Sequence, residues 1–261
     1  MKKISASILA LGTVALIAAF SAPAFAEEAA APAAEAPALT GNLTLASSYR
    51  FRGIDQTFGK PAIQGGFDYA HSSGLYVGNW NSNVSEYAGY PGGNLEMDFY
   101  GGYKAAFGDF GLDVGGLYYY YPGSEGGGTT LNSGTVHNGE VYVGGSWKFI
   151  TLKASYAVTD YFNAPNSKGT YYIDLGAAYD LGDGWGINGH VGYLDMAHSN
   201  TADYTDWKLG ATKDIGGYVI GLSYVGTDAD KSVYTWVNAA KNDRAFFAGK
   251  NTAVLSVSKT F

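Results

Sequence analysis

From Asn42 to the end of the chain, apolar and polar residues alternate with a period of two, in segments too long for ordinary soluble strands. Asn42–Arg52 puts Leu43, Leu45, Tyr49 and Phe51 on one face and Thr44, Ser48, Arg50 and Arg52 on the other. Asn94–Ala106 opposes Leu95, Met97, Phe99 and Tyr103 to Glu96, Asp98, Tyr100 and Lys104. The same reading predicts about twelve strands, at 42–52, 62–71, 75–83, 94–106, 110–121, 138–149, 151–160, 169–180, 185–194, 204–213, 218–227 and 250–261. Strands in soluble folds peak at about five or six residues, whereas a tilted membrane strand needs about 9–11.

The connections alternate in length. Short ones fall at Ser72–Gly74, Phe107–Asp109, around Ile150, Leu181–Gly184 and Asp214–Gly217; long ones span 53–61, 84–93, 122–137, 161–168, 195–203 and 228–249. An even number of antiparallel strands with short periplasmic turns and longer extracellular loops is the pattern of an all-β, up-and-down transmembrane barrel. Both termini then lie in the periplasm.

Charge placement follows the same division. The predicted inner face carries Arg50, Arg52, Asp68, Glu96, Asp98, Lys104, Asp113, Glu140, Lys148, Lys153, Asp174, Asp180, Asp206 and Lys208, and these are the candidate pore-lining charges. Of the strand charges only Lys213 and Lys259 point outward, at the predicted periplasmic rim, where a lysine snorkels at little cost. Near that rim lie Tyr69, Tyr103, Phe110, Trp147, Phe149, Tyr179, Trp185, Tyr218 and Phe261, placed as an interfacial girdle. Strand glycines such as Gly65, Gly101, Gly116 and Gly145 are expected to let aromatics lie flat on the wall, or to bend the strands.

The N-terminus reads as a targeting segment. Lys2 and Lys3 precede an apolar stretch from Ile4 to Phe20, and Ala24-Phe25-Ala26 supplies the small residues of a cleavage site, so residues 1–26 are expected to be a signal peptide. Residues 27–41, Ala/Pro-rich and acidic, are expected to form a flexible periplasmic leader, and 42–261 the barrel. Cleavage leaves 14 basic and 23 acidic residues, a net −9, which disfavours nucleic acid as a partner. With no Cys, disulfides and Cys-based metal or redox sites are excluded.

Several segments resemble the TorF-type porin family of proteobacteria, earlier grouped as proteins of unknown function. They are SSYRFRGIDQT (47–57), PAIQGGFDYAHSSGLYVGNWNSNV (61–84), EMDFYGGYKAAFGDFGLDVGGLYYYYPG (96–123), EVYVGGSWKF (140–149), VTDYF (158–162) and DYTDWKLGATKDIGGYVIGLSYVGTD (203–228). The terminal aromatic Phe261, on an alternating strand, resembles the outer-membrane assembly signal. The resemblance implies an outer-membrane barrel with a pore, and carries over no catalytic or binding residue.

No enzyme, cofactor or metal is expected. His71, His137 and His198 sit in turns or loops without zinc spacing, and His190 is placed inward on the ninth strand. There it reads as a hydrogen-bonded lumen side chain; the alternative is a general base of a membrane hydrolase. Gly123–Gly128 lacks the Lys-Ser/Thr of a phosphate loop, and Asp228 with Asp230 falls short of a calcium site. Inward Tyr100, Tyr119, Tyr121, Tyr142 and Tyr172 read either as a stacking track for planar solutes or as fillers of a narrow lumen. Twelve tilted strands give a backbone radius of about 12 Å, hence a lumen of roughly 10 Å at best. The leading expectation is a passive channel for small solutes or ions, with loop 122–137 or 228–249 able to fold inward. The alternative is a structural or adhesive barrel with a filled lumen. Expected partners are outer-membrane lipid and lipopolysaccharide, the outer-membrane assembly machinery and small solutes.

Arg50 and Arg52, placed on the outer end of the first strand, are expected to face Glu140 and Asp174 across the lumen. Such opposed charges set up a transverse field; the alternative is local pairing that holds the lumen shut.

Overall fold

The computed structural model describes residues 39–128, 130–238 and 244–261. The expected signal peptide (1–26) and residues 27–38 of the expected leader lie outside them. Sixteen strands are described: β1 (Leu39–Ala46), β2 (Arg50–Phe51), β3 (Ile54–Asp55), β4 (Ala62–Ala70), β5 (Leu75–Asn83), β6 (Leu95–Phe107), β7 (Phe110–Tyr120), β8 (His137–Trp147), β9 (Ile150–Ala157), β10 (Tyr171–Gly182), β11 (Trp185–Asp195), β12 (Tyr204–Ile215), β13 (Tyr218–Thr227), β14 (Thr235–Asn238), β15 (Arg244–Phe247) and β16 (Thr252–Thr260). Twelve of them close an antiparallel barrel in the order β1-β16-β13-β12-β11-β10-β9-β8-β7-β6-β5-β4. The wall has the twelve antiparallel strands the alternation predicts, and no helix among the described residues is long and apolar enough to cross a membrane.

Closure removes every edge, the condition for a sheet to sit in lipid. The seam pairs β1 with β16, Asn42 opposite Thr260 and Ala46 opposite Ser256. Two backbone bonds extend it: Phe261 N–H to Gly41 O at 2.8 Å and Gly41 N–H to Phe261 O at 3.1 Å.

The outside is aliphatic and inverted relative to a soluble protein. Leu45, Ile63, Val143, Leu152, Leu209, Leu222 and Leu255 are exposed on the wall, Leu209 at 71%. Phe107, Phe110, Trp147, Phe149, Tyr179, Trp185 and Tyr218 ring the turn end. A second ring at the loop end comprises Tyr118, Tyr156, Tyr171, Tyr193, Trp207 and Tyr224. Only the first was foreseen. Together they bracket the apolar band as interfacial girdles do. Lys213 and Lys259 sit at the turn-end rim, their ammonium groups over the rings of Trp185 and Tyr218.

Three details correct the sequence reading. The first strand is Leu39–Ala46, not 42–52. After Ala46 the chain leaves the wall and enters the lumen as a hairpin, β2 paired with β3. A short hairpin alternates with the same period as a wall strand, so Tyr49 and Phe51 continue the pattern while packing inward instead of toward lipid. Lys148 likewise lies in the turn after β8, not on the lumen wall, with a φ of 54° and Asp109 3.9 Å away. Aromatics are seated by glycines on both faces, outward by Gly41 under Phe67 and Gly226 under Trp207, inward by others. A Cβ on Gly192 would lie 2.0 Å from Tyr172 Oη, and one on Gly115 2.5 Å from Tyr142 Oη. Outward-facing Gly65 and Gly145 lie against backbone of the adjoining strands instead.

Candidate functional site

The barrel interior is built from the polar half of each alternation, and toward the loop end it holds two buried clusters. The Arg52-Gly53 turn, with φ of 48° and 79°, has positive φ at both central residues, as a tight two-residue hairpin turn requires. It drives the hairpin between two buried clusters. Tyr49 and Phe51 join the first, with Val84, Tyr90, Leu117, Tyr119, Tyr121 and Val136. Ile54 joins the second, with Ala157, Tyr161, Tyr172, Leu194, Tyr204 and Tyr234. Phe162 and Trp236, from later loops, touch both. Loop 122–137 or 228–249 is the expected inward loop; the first loop also enters, as the β2–β3 hairpin, and packs with Val136 of the one and Tyr234 of the other.

The hairpin is held largely by polar contacts. Asp55, wholly buried, accepts hydrogen bonds from Ser48 Oγ (2.7 Å), Thr57 N–H (2.9 Å) and Gly59 N–H (2.9 Å). Arg50 donates to the carbonyls of Ala248 (2.8 Å) and Lys250 (3.1 Å) and lies 3.4 Å from Asp55. Arg52 reaches the wall: Nη2 donates to Glu140 Oε2 at 2.7 Å, Nη1 to Tyr161 Oη at 3.0 Å, and its guanidinium lies 4.4 Å from the ring centre of Tyr172. Gln56 binds Tyr90 Oη through its side-chain oxygen. Of the two readings of the arginines, Arg50 follows local pairing. Arg52 does meet Glu140, but from the hairpin rather than from the wall.

The wall charges fall into three groups. Around the hairpin, Glu96 and Asp98 on β6 are each 1% exposed; Glu96 accepts from Tyr49 Oη at 2.9 Å, and Glu140 on β8 also accepts from Asn138 at 3.0 Å. On β10–β12, His190 lies between two carboxylates: Nδ1 is 2.8 Å from Asp174 and Nε2 is 3.5 Å from Asp206. Tyr172 Oη sits 2.8 Å from Asp206 and 3.2 Å from Asp174. Lys153 is opposite Asp174 in the β9–β10 register and Lys208 opposite His190 in the β11–β12 register. Toward the turn end, Tyr100 donates to Asp68 (2.6 Å), Tyr76 to Asp113 (2.6 Å) while touching Tyr142, and Lys104 lies 3.9 Å from Asp113. Lys104, at 48% side-chain exposure, and Asp180 are open to water there. Tyr119, Tyr121, Tyr142 and Tyr172 are buried among these groups as fillers and donors.

Of the fourteen charges the sequence places on the inner wall, eleven lie on wall strands, Arg50 and Arg52 lie on the hairpin and Lys148 in a turn; sequence reasoning missed the His190 bridge and the hairpin seat of Asp55, Gln56 and Thr57. The signal for the hairpin was the Arg-Gly pair at 52–53, a turn former inside an apparent strand.

A closed barrel with an aliphatic outside, two aromatic girdles and a charged, hydrogen-bonded interior defines a transmembrane β-barrel of the outer-membrane kind. The chain belongs to a family of bacterial proteins of unknown function (Gcw_chp), whose model matches residues 29–261. Among solved structures it is similar to the KdgM porin, with a TM-score of 0.51 and 8% identity over 85% of this chain and 99% of that one. It is likewise similar to the KdgM porin in complex with disordered oligogalacturonate, with a TM-score of 0.50 and 7% identity over 85% of this chain and 98% of that one. At such identities the likeness is one of fold. No curated protein matches the chain in sequence.

Proposed function

We propose that this protein is an outer-membrane porin-type channel that passes small solutes or ions by passive diffusion, its loop-end mouth narrowed by the β2–β3 hairpin. One observation carries the reading: one face of each wall strand turns charged and hydroxyl side chains into an enclosed interior, while the other is aliphatic. A barrel that only anchored loops would have no use for Lys104, Asp113, Lys153, Asp174, His190 and Lys208 inside it, since taking charged groups out of bulk water costs desolvation even where they are paired. The TorF-type resemblance of 47–57, 96–123 and 203–228 agrees with a channel of this kind.

The remaining parts of the proposal concern delivery. Residues 1–26 are removed on export, 27–38 precede the barrel as a leader, and the assembly machinery recognises the β16–Phe261 end. Lipopolysaccharide faces the loop-end girdle. Solute passage is tested by planar-bilayer conductance of the refolded protein. Discrete steps support the channel, and their absence across pH and voltage defeats it. N-terminal sequencing of the outer-membrane form tests cleavage, with Glu27 the expected first residue.

A further inference from the structure

We propose that the β2–β3 hairpin is a proton-operated gate of this channel, with His190 as its sensor; the proposal rests on the channel reading above. The geometry is a chain of contacts from water to the hairpin tip. Asp174, 27% exposed, meets His190 at 2.8 Å; His190 meets Asp206 at 3.5 Å; Asp206 meets Tyr172 Oη at 2.8 Å; and the ring of Tyr172 carries the Arg52 guanidinium 4.4 Å from its centre. The tip also covers Asp206 directly. A Cβ on Gly53 would lie 2.7 Å from Asp206 Cβ, and Asp206 is wholly buried under it.

Seating the hairpin therefore buries the Asp206 carboxylate, which is costly unless a cation compensates it. The charged or titratable groups facing His190 are Tyr172 and Asp174 from β10, Asp206 and Lys208 from β12, and Lys153 from β9 beyond Asp174, with Arg52 of the hairpin above Tyr172. Of these, Arg52 is bound to Glu140. Imidazolium at His190 places a positive charge between Asp174 and Asp206 and allows Asp206 to stay covered. Neutral imidazole leaves two carboxylates facing one another, and withdrawal of the hairpin lets water reach Asp206. Acid thus closes the mouth and alkali opens it.

The test is single-channel recording between about pH 5 and about pH 8. The open-to-closed ratio of the wild type should rise about tenfold with pH, the ratio given by one pK unit of coupling between proton and gate. His190→Gln should stay open and His190→Arg stay closed across the range. A variant with residues 48–57 replaced by a Gly-Ser linker should conduct at every pH. Wild-type pH independence, or an unchanged response in His190→Gln, overturns the gate while the linker variant still conducts. A linker variant that never conducts overturns the channel reading and the gate with it. A readout independent of current is maleimide labelling of Thr57→Cys in this cysteine-free chain, Thr57 being 1% exposed. Its rate at high pH should exceed that of the same cysteine beside His190→Arg, which removes the thiol's own pH dependence; equal rates count against the gate.

Discussion

Arg52 on the inserted hairpin and Glu140 on β8 form a buried ion pair across the interior, with a 2.7 Å contact and side-chain exposures of 7% and 2%. The pair joins the first loop to the far side of the ring, since β8 and β9 lie opposite β16 and β1 in the closed order. It fixes how deep the hairpin sits.

Removing one partner leaves the other charge buried without compensation, a cost of about 3–5 kcal/mol, whereas an apolar pair of similar volume is often neutral. Arg52→Ala and Glu140→Gln should each loosen the hairpin and raise mean conductance. Arg52→Met with Glu140→Leu should restore the wild-type value. The check is mean conductance with trypsin sensitivity at Arg50, whose burial depends on the seated hairpin. A double variant that behaves like either single one excludes the pair as the hairpin's anchor.

The wall was legible because lipid enforces the alternation on every strand: a charge facing outward at mid-wall is intolerable, so residues such as Leu209 and Ile173 announce their face. The hairpin was not legible because the interior imposes a weaker code. Ser48, Arg50 and Arg52 satisfy an inward wall face and an inserted loop equally well, and what separates them is the partner, Asp55 or Glu140, which sequence spacing does not reveal. His190 was placed inward correctly, yet its two carboxylates come from different strands, and only the β10–β12 register brings them together.

Depth should govern tolerance of outward charge. Arginine on the lipid face costs about 2–4 kcal/mol at the midplane and about 0–1 near the interfaces. Leu209→Arg, in the middle of β12, should therefore lower the unfolding free energy in denaturant far more than Ile215→Arg at its turn end, both positions being exposed now at 71% and 57%. Equal costs would mean that the apolar band does not contact lipid.

Deleting Phe261 should impair insertion while leaving export intact. Its N–H and C=O pair with Gly41 at the seam, so the deletion removes two ladder bonds where the first and last strands meet, together with the ring exposed at the rim. The readout is heat-modifiable migration and outer-membrane yield. Phe261→Ala, which keeps the backbone bonds, separates the ring's part from the ladder's. If the deleted protein inserts at normal yield, neither matters for assembly.

Ion preference follows from where the structure puts the charges. With Lys148 in a turn, the predicted inner charges that lie on wall strands are three basic (Lys104, Lys153 and Lys208) and eight acidic, and the hairpin holds Arg50, Arg52 and Asp55. A narrow path lined with excess carboxylate favours cations. The bias is tempered because Glu140 is tied to Arg52, Asp113 lies near Lys104 and Asp174 near His190. The expected reversal potential in a KCl gradient is therefore weakly cation-selective. Replacing both Arg50 and Arg52 by alanine should increase that selectivity and the conductance together, because the same change removes two positive charges and unseats the hairpin. Lys148→Ala, at the rim, should alter neither by more than a small fraction. Anion selectivity in the wild type would show that ions do not travel past these carboxylates, and the conducting path would then have to follow the hydroxyl-lined wall of Thr44, Ser256 and Ser258 instead.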